Sequence, residues 1–515
     1  MLNAKLPETY KIPKVIWIIA LCFFIKTLIL AFWITPLWDI PDEYAHYAYI
    51  EDIAKGKGIP VLGKSLISEE IVDSINPNSK ESPPKMNWIA QHPPAYHLIG
   101  AVPLKIAELF TEDKYWLFRV PRIISSLSGA IALIIFYLIF KEVTNSNFFS
   151  IAAVATISFI PMFSQMSSGT NHDITVTLFS ALAILYWFRF LKSESYKNAL
   201  LMSMWLSIAC FTKITALIIA IPMLVISFFY IKGKYKNRIG KWFLCGGITG
   251  ILPGYWMTRN FILFGNPLID ATYFAKASGI TTKINILNYL QNQQVIEQTF
   301  RNFIALIGWQ GTGKGEVLLF QVSGLYLLIY SLFLLILVLG SFFWYIKFSY
   351  KHINGKGKYA LIFSVIFLLS SYFLIFSSKN YPIYRQFLYS LLFAIFPFII
   401  LSFENKIAKE DKLMIYSLWP ILIFLISYIL KLKELYEISG ILRAVHGRYW
   451  FPLIPLLVIA FIFPFFKLLN SYITEKRNYK KTLFIITFFI IVLIISSMEI
   501  CFYASEVIPF YLKMS

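Results

Sequence analysis

The sequence predicts an all-α polytopic membrane protein, and three observations carry that expectation. Of its 515 residues, 58% are hydrophobic and 18% aromatic, which is more apolar surface than a chain folded in water could hide. Mean hydropathy is +0.66. Apolar runs of crossing length recur, and the basic residues gather in the short segments between them, as cytoplasmic loops do. The net charge of +20 therefore reflects topology and excludes a nucleic-acid-binding role, which needs a solvated basic face. The four cysteines (Cys22, Cys210, Cys245, Cys501) lack a CxxC spacing and predict neither a disulfide framework nor a zinc site.

Taken in order, runs of about 17–25 residues predict roughly thirteen crossings. The first, Val15–Thr35, follows Lys5, Lys11 and Lys14 and shows no small-residue cleavage site, so it reads as a retained signal-anchor helix. A long polar segment, residues 38–118, comes next. Crossings are then expected at Ile123–Phe140, Phe148–Met166 and Ile174–Phe190, and two more within Ala199–Tyr230, folded back at Thr212-Lys213. Another ends near Met257, before a second large polar segment, 258–321. The remaining runs are Leu325–Tyr345, Ala360–Phe376, Phe387–Leu401, Leu413–Leu430, Phe451–Phe466 and Leu483–Met498. With the N terminus in the cytoplasm, every alternate loop is short and basic, and the two large segments face outward. Within the first of them, Asp42–Lys55 has the amphipathic pattern of an interfacial helix ended by Gly56 and Gly58, and Pro94–Phe110 repeats it. The whole chain, 1–515, reads as one transmembrane domain.

Charges at a membrane mouth are costly and so are candidates for function. Asp39, Asp42, Glu43 and His46 lie within eight positions just after the first crossing. Asp42 and Glu43 fit either a general base or first-turn carboxylates facing the helix dipole. Asp173, beside Asn171 and His172, opens the fourth crossing from the same side and fits either that chemistry or a cap. The outward-facing cations are Arg119, Arg122, Arg259, Arg448 and Lys85, with His92 nearby. Arginines suit forked recognition of a phosphate, although Arg119 and Arg122 equally fit interfacial snorkelling. The stretch Gly308–Gly315 resembles a Walker A loop, but glycine stands where a metal-binding Ser/Thr is needed, and no nucleotide site is expected. The six histidines show no HExxH or paired ligand spacing, so no built-in metal site is expected; a divalent ion could still be held by Asp42, Glu43 and His46.

Seven boxes occur in order: PDEYAH (Pro41–His46), HPPAYH (His92–His97), RVPRIISSLSG (Arg119–Gly129), NHDITVTLFSALA (Asn171–Ala183), TRNFILFGNPL (Thr258–Leu268), IGWQG (Ile307–Gly311) and HGRYWFPLIPLL (His446–Leu457). Each is short. As a set the chain resembles the GT-C membrane glycosyltransferases, most closely the protein O-mannosyltransferase and aminoarabinose transferase branch, together with a related bacterial family carrying the same Pro-Asp-Glu signature.

The resemblance implies a bundle of about 11–13 transmembrane helices in the cytoplasmic membrane, with its active site on the extracytoplasmic side. It implies inverting transfer of a sugar from a polyprenyl-phosphate donor to an acceptor that is a glycolipid, a glycan or a protein. Asp42, Glu43 and Asp173 would be catalytic. Arg259, Arg448, Lys85 and Arg119 would bind the donor phosphate. His46, His92, His172, Trp309 and Tyr449 would line the pocket. The rival reading is a transporter or flippase of a lipid-linked sugar that grips the same phosphate without chemistry, but no inverted repeat is visible. On the enzyme reading, Asp42, Asp173 and Arg448 should converge on one cavity.

Overall fold

The computed structural model of the chain describes all residues except 1–10, 76–84, 232, 271–282, 293, 308–319, 322–323, 354, 377–381, 405–406, 441, 443, 475–489, 491 and 515. It is helical nearly throughout, with one two-residue antiparallel pair, Leu306–Ile307 against Phe320–Gln321. Among the described residues, nine helices are long and apolar enough to cross a membrane. They are Lys14–Ile34, Lys114–Thr144, Asp173–Ser193, Gly324–Lys351, Gly357–Phe376, Ile383–Phe403, Lys409–Ser439, Gly447–Ser471 and Val492–Leu512. The chain is thus the all-α polytopic membrane protein that its composition predicts.

The differences from the expected spans have local causes. The run expected as one crossing at Phe148–Met166 is a helix pair, Asn147–Ser158 and Pro161–Ser167, bent by 69°. Pro161 occupies the first helical position after the bend, where its missing N–H costs nothing, and it cannot continue the preceding helix. Ala199–Tyr230 is broken at Lys213 into Tyr196–Thr212 and Ile214–Tyr230, neither of which is among the nine, where two crossings are expected from the sequence. The helix Tyr235–Phe264 runs seven residues into the segment expected to be a loop, so Arg259 stands on a helix. Gly265, at φ +70°, ends it.

Five helices position the end of the bundle that carries the clustered charges. They are α1 (Lys14–Ile29), α2 (Glu43–Ala54), α3 (Ala95–Ala107), α4 (Arg122–Thr144) and α5 (Asp173–Ser193). The expectation of two interfacial helices in the first polar segment is met by only one of them. α3 exposes Leu98, Ile99, Val102 and Ile106 and buries Tyr96, His97 and Leu104, as an interfacial helix should. α2 is buried almost all round, from Glu43 through Asp52, because its polar side chains find partners inside the protein. The segment therefore has a core of its own, with Trp38, Tyr47, Tyr49, Ile50, Tyr96 and Phe118 packed together.

Two glycines allow close packing at this end of the bundle. A Cβ at Gly169 would sit 2.2 Å from Cγ1 of Ile40, and one at Gly447 would sit 2.1 Å from the backbone nitrogen of Phe303. Gly169→Ala should accordingly lower stability by about 1–3 kcal/mol through overpacking, read as a fall in melting temperature. Ile40→Ala in the same chain should recover part of that loss by removing the obstructing side chain.

Candidate active site

The turn after α1 places the three clustered acids in three different environments. Asp39 accepts a hydrogen bond from the Tyr511 hydroxyl at 2.5 Å. Asp42 and Glu43 point apart because Asp42 is in the left-handed region, at φ 64°, immediately before α2. Trp38 shares that conformation at φ 67°. Such backbone is held only where neighbours over-determine it, and it concentrates at functional sites. Here Trp38 is fixed by its N–H to Glu43 Oε2 at 2.9 Å and by its indole N–H to Ser74 Oγ at 2.9 Å.

Glu43 is not open to substrate, which revises the expectation that it is catalytic. Arg122, itself fully buried, donates Nε to Oε1 and Nη2 to Oε2, both at 2.8 Å. The Thr170 N–H donates to Oε1 at 2.8 Å. Arg122 also donates to the carbonyls of Ala31, Thr35 and Pro36. This fork fastens the end of α1, the start of α2 and the loop before α5 to α4. The same geometry removes Asp42, Glu43 and His46 as a joint set of ligands for a divalent ion.

Asp42 stands at the N-cap of α2 but makes no side-chain capping bond. Its Oδ2 accepts from Arg448 Nη2 at 3.2 Å and its Oδ1 from the Trp88 indole at 3.2 Å. Asp173 is the first residue of α5, with its N–H held by Asn171 Oδ1 at 2.9 Å. Its Oδ2 accepts from Arg448 Nε at 2.8 Å and its Oδ1 from Lys213 Nζ at 2.6 Å. One guanidinium therefore bridges the two acids, so Asp42, Asp173 and Arg448 meet, but the expected shared cavity is met only in part, since the space beside them is lined by Asp173 and Arg448 and not by Asp42. Asp173 is buried, whereas the Asp42 side chain keeps 28% of its surface exposed.

Lys213 and Tyr449 complete the cluster, the lysine lying 4.3 Å from the Tyr449 ring centroid. Sequence reasoning used Lys213 only to mark a fold-back. The signal was nevertheless present, since a lone lysine inside 32 apolar positions is an intramembrane charge that must have a partner. Asp173, Lys213, Phe424, Arg448 and Tyr449 line a cavity of about 20 Å³, room for a single water. A second cavity of about 310 Å³ is lined almost wholly by apolar side chains, among them Phe303, Tyr389, Tyr428, Trp450, Ile454 and Val458. Trp450 follows Arg448 by two residues, so the ionic cluster and the apolar cavity share one stretch of chain.

The other expected phosphate ligands disperse. Arg119 donates to the Tyr115 carbonyl at 3.0 Å and lies over that ring at 3.8 Å, as an interfacial arginine does. Arg259 donates to the Pro60 carbonyl at 2.9 Å and packs over Trp256, tying the first polar segment to the bundle. Lys85 sits over Tyr44 at 5.6 Å, and that ring meets Trp88, the indole bonded to Asp42. Lys85 is therefore at the approach to Asp42. Trp309 lies outside the described residues.

The histidines gather beside Asp173. His172 stands 4.4 Å from His92 and 4.6 Å from His46, centroid to centroid, and His46 Nδ1 is 3.0 Å from His97 Nε2. Burial first, then neighbouring imidazoles and the Lys213 and Arg448 charges, holds His46 well below its ordinary pKa. Burial and then Lys213 take His92 to about 3 and hold His172 well below normal. These rings are neutral at physiological pH.

With this geometry in view, the chain can be compared with known proteins. Residues 91–255 match the family model described as dolichyl-phosphate-mannose-protein mannosyltransferase, the branch that the ordered boxes resemble. That stretch contains His92, His97, Arg119, Asp173 and Lys213, but not Asp42 or Arg448. No curated protein matches. Among solved structures, the Saccharomyces cerevisiae protein O-mannosyltransferase Pmt1-Pmt2 complex bound to the sugar donor is similar at 13% identity and a TM-score of 0.34, over 52% of this chain and 37% of that one. The Archaeoglobus fulgidus oligosaccharyltransferase AglB, in complex with an inhibitory peptide and a dolichol-phosphate, is similar at 13% identity and a TM-score of 0.35, over 89% of this chain and 55% of that one. An apo form of the Archaeoglobus fulgidus oligosaccharyltransferase gives 14% identity and 0.34, over 90% and 56%. This chain spans about a third to just over half the length of those chains.

Proposed function

We propose that the chain is a GT-C type glycosyltransferase that moves a sugar from a polyprenyl-phosphate donor to an acceptor on the extracytoplasmic side, with inversion at the anomeric carbon. The observation that carries this is the meeting of Asp42, Asp173, Lys213 and Arg448 at one place. Asp42, the exposed member, takes the proton from the acceptor hydroxyl as that oxygen attacks the anomeric carbon. The bond from carbon to phosphate oxygen breaks on the opposite face, and its electron pair departs with the phosphate. Arg448 and Lys213 neutralise that charge, and a phosphate needs no protein acid to leave at neutral pH. Asp173 is here a positioning residue that holds both cations. The apolar cavity beginning at Trp450 suits the lipid chain of the donor. Residues 38–118 and 258–321 supply the acceptor side.

The test is transfer by the purified chain in proteoliposomes, using radiolabelled polyprenyl-phosphate sugars. Asp42→Asn should lower turnover by about 10²–10⁴ with donor binding retained, the scale of losing a general base. Undiminished turnover would remove Asp42 from that role. Donor movement across the bilayer without transfer, equal in parent and variant, would favour the flippase reading. Orientation is read separately: a cysteine at Ser65 should react with an impermeant thiol reagent added outside intact cells.

A further inference from the structure

We infer that His46, His97 and His172 form a three-imidazole site for a divalent transition-metal ion, of which zinc best suits the donors. One nitrogen from each ring lies within 4.8 Å of the other two. The three come from separate parts of the chain: the first turn of α2, the first turn of α3 and the residue before α5. Only six histidines occur in 515 residues, and these three, with His92 against them, make four of the six in one cluster. An aromatic core would be built more cheaply from Phe, because each neutral imidazole buries a donor and an acceptor that need partners.

The partners inside the protein are incomplete. His97 and His172 are buried; His97 has a hydrogen bond with the Pro93 backbone, whereas Nδ1 of His172 has no hydrogen-bond partner among the described residues. His46 Nδ1 and His97 Nε2 share one proton across 3.0 Å. A bound cation would take that proton's place, and the proton would move to the far nitrogen of the same ring. His172 Nε2 faces Asp173 Oδ1 at 3.4 Å, which leaves Nδ1 its lone pair and supplies the carboxylate behind the imidazole that metal-binding histidines commonly have. Lys213 and Arg448 are each paired with Asp173, and Arg448 also with Asp42, which reduces their repulsion of a cation at the imidazoles. Three imidazoles with no thiolate suit zinc, copper or nickel over magnesium or calcium. A ligand pair at the 4.8 Å limit must close by about 1.5 Å to reach tetrahedral spacing around zinc at about 2.0–2.1 Å, a movement within reach of side-chain torsions.

Such an ion would staple the outer segment to the bundle at the residues flanking Asp42 and Asp173, giving it a positioning role. The inference does not depend on sugar transfer, because its readout is metal retention. The full chain, carrying a histidine-free affinity tag, would be purified in detergent, stripped with chelator, incubated with zinc and desalted. Zinc content is then measured by mass spectrometry, and cobalt substitution is followed by visible absorption. About one zinc per chain and a tetrahedral cobalt band are expected. His97→Gln and His172→Gln should each lower zinc retention by about tenfold or more, since each removes one of three ligands. His352→Gln, outside the cluster, should retain zinc like the parent. If His97→Gln fails to fold, His46→Gln takes its place. A parent chain that keeps no zinc and gives no cobalt band overturns the inference, as does zinc retained unchanged in both ligand variants.

Discussion

Arg448→Lys should lower sugar transfer by about 10²–10³ while the protein still elutes as a folded, monodisperse species. Arg448 uses two different nitrogens for two carboxylates, Nε for Asp173 and Nη2 for Asp42. A lysine ammonium is a point charge on a flexible stem and cannot span both acids in a fixed plane. Lys213 already occupies the other oxygen of Asp173, so a second ammonium would crowd a neighbour of like charge. The lost interaction belongs to the step in which phosphate charge develops, so the deficit should fall mainly on kcat. Donor affinity should weaken less, because the apolar cavity at Trp450 is untouched. Equal turnover in Arg448→Lys and the parent would show that the guanidinium fork has no part in the chemistry.

How much of this was legible in the sequence depends on the distance over which each partner acts. The span pattern was readable because it is local: an apolar run declares itself, and Pro161 explains the one run that bends. Asp42, Asp173 and Arg448 were individually readable as charges at a membrane mouth, and they do meet through the guanidinium, although Asp42 does not line the cavity that Asp173 and Arg448 share. What could not be read was the direction in which adjacent side chains point. Asp42 and Glu43 look equivalent in a string, and only a left-handed φ of 64° sends one to Arg448 and the other to Arg122. The amphipathic reading of α2 failed for the same reason, since Glu43, His46 and Glu51 are polar yet buried against partners far along the chain. The histidine cluster escaped a search for ligand spacing because His46 and His97 are 51 residues apart and on different helices. Lys213 was the avoidable omission, as its position in an apolar run already demanded an acid.

Glu43→Gln should lower stability by about 3–5 kcal/mol, the cost of leaving one member of a buried ion pair without its partner. Thermal melting followed by tryptophan fluorescence would report it. Glu43 and Arg122 are both fully buried, so neither charge can turn to water once the other is gone. A Glu43→Leu/Arg122→Met double variant replaces both charges with apolar groups, and such exchanges are often neutral in other buried pairs. Here only partial recovery is expected. The double variant still strips partners from the Ala31, Thr35 and Pro36 carbonyls and from the Trp38 and Thr170 amides. The shortfall between the double variant and the parent measures those five backbone groups, and a double-mutant cycle separates it from the ion pair itself. The alternative, Glu43 as a proton-transfer group, predicts the reverse: a melting temperature like the parent's with transfer abolished in Glu43→Gln. Because the clamp also sets the turn carrying Asp42, the destabilised variant should regain transfer on cooling, whereas a missing catalytic group would stay missing at every temperature.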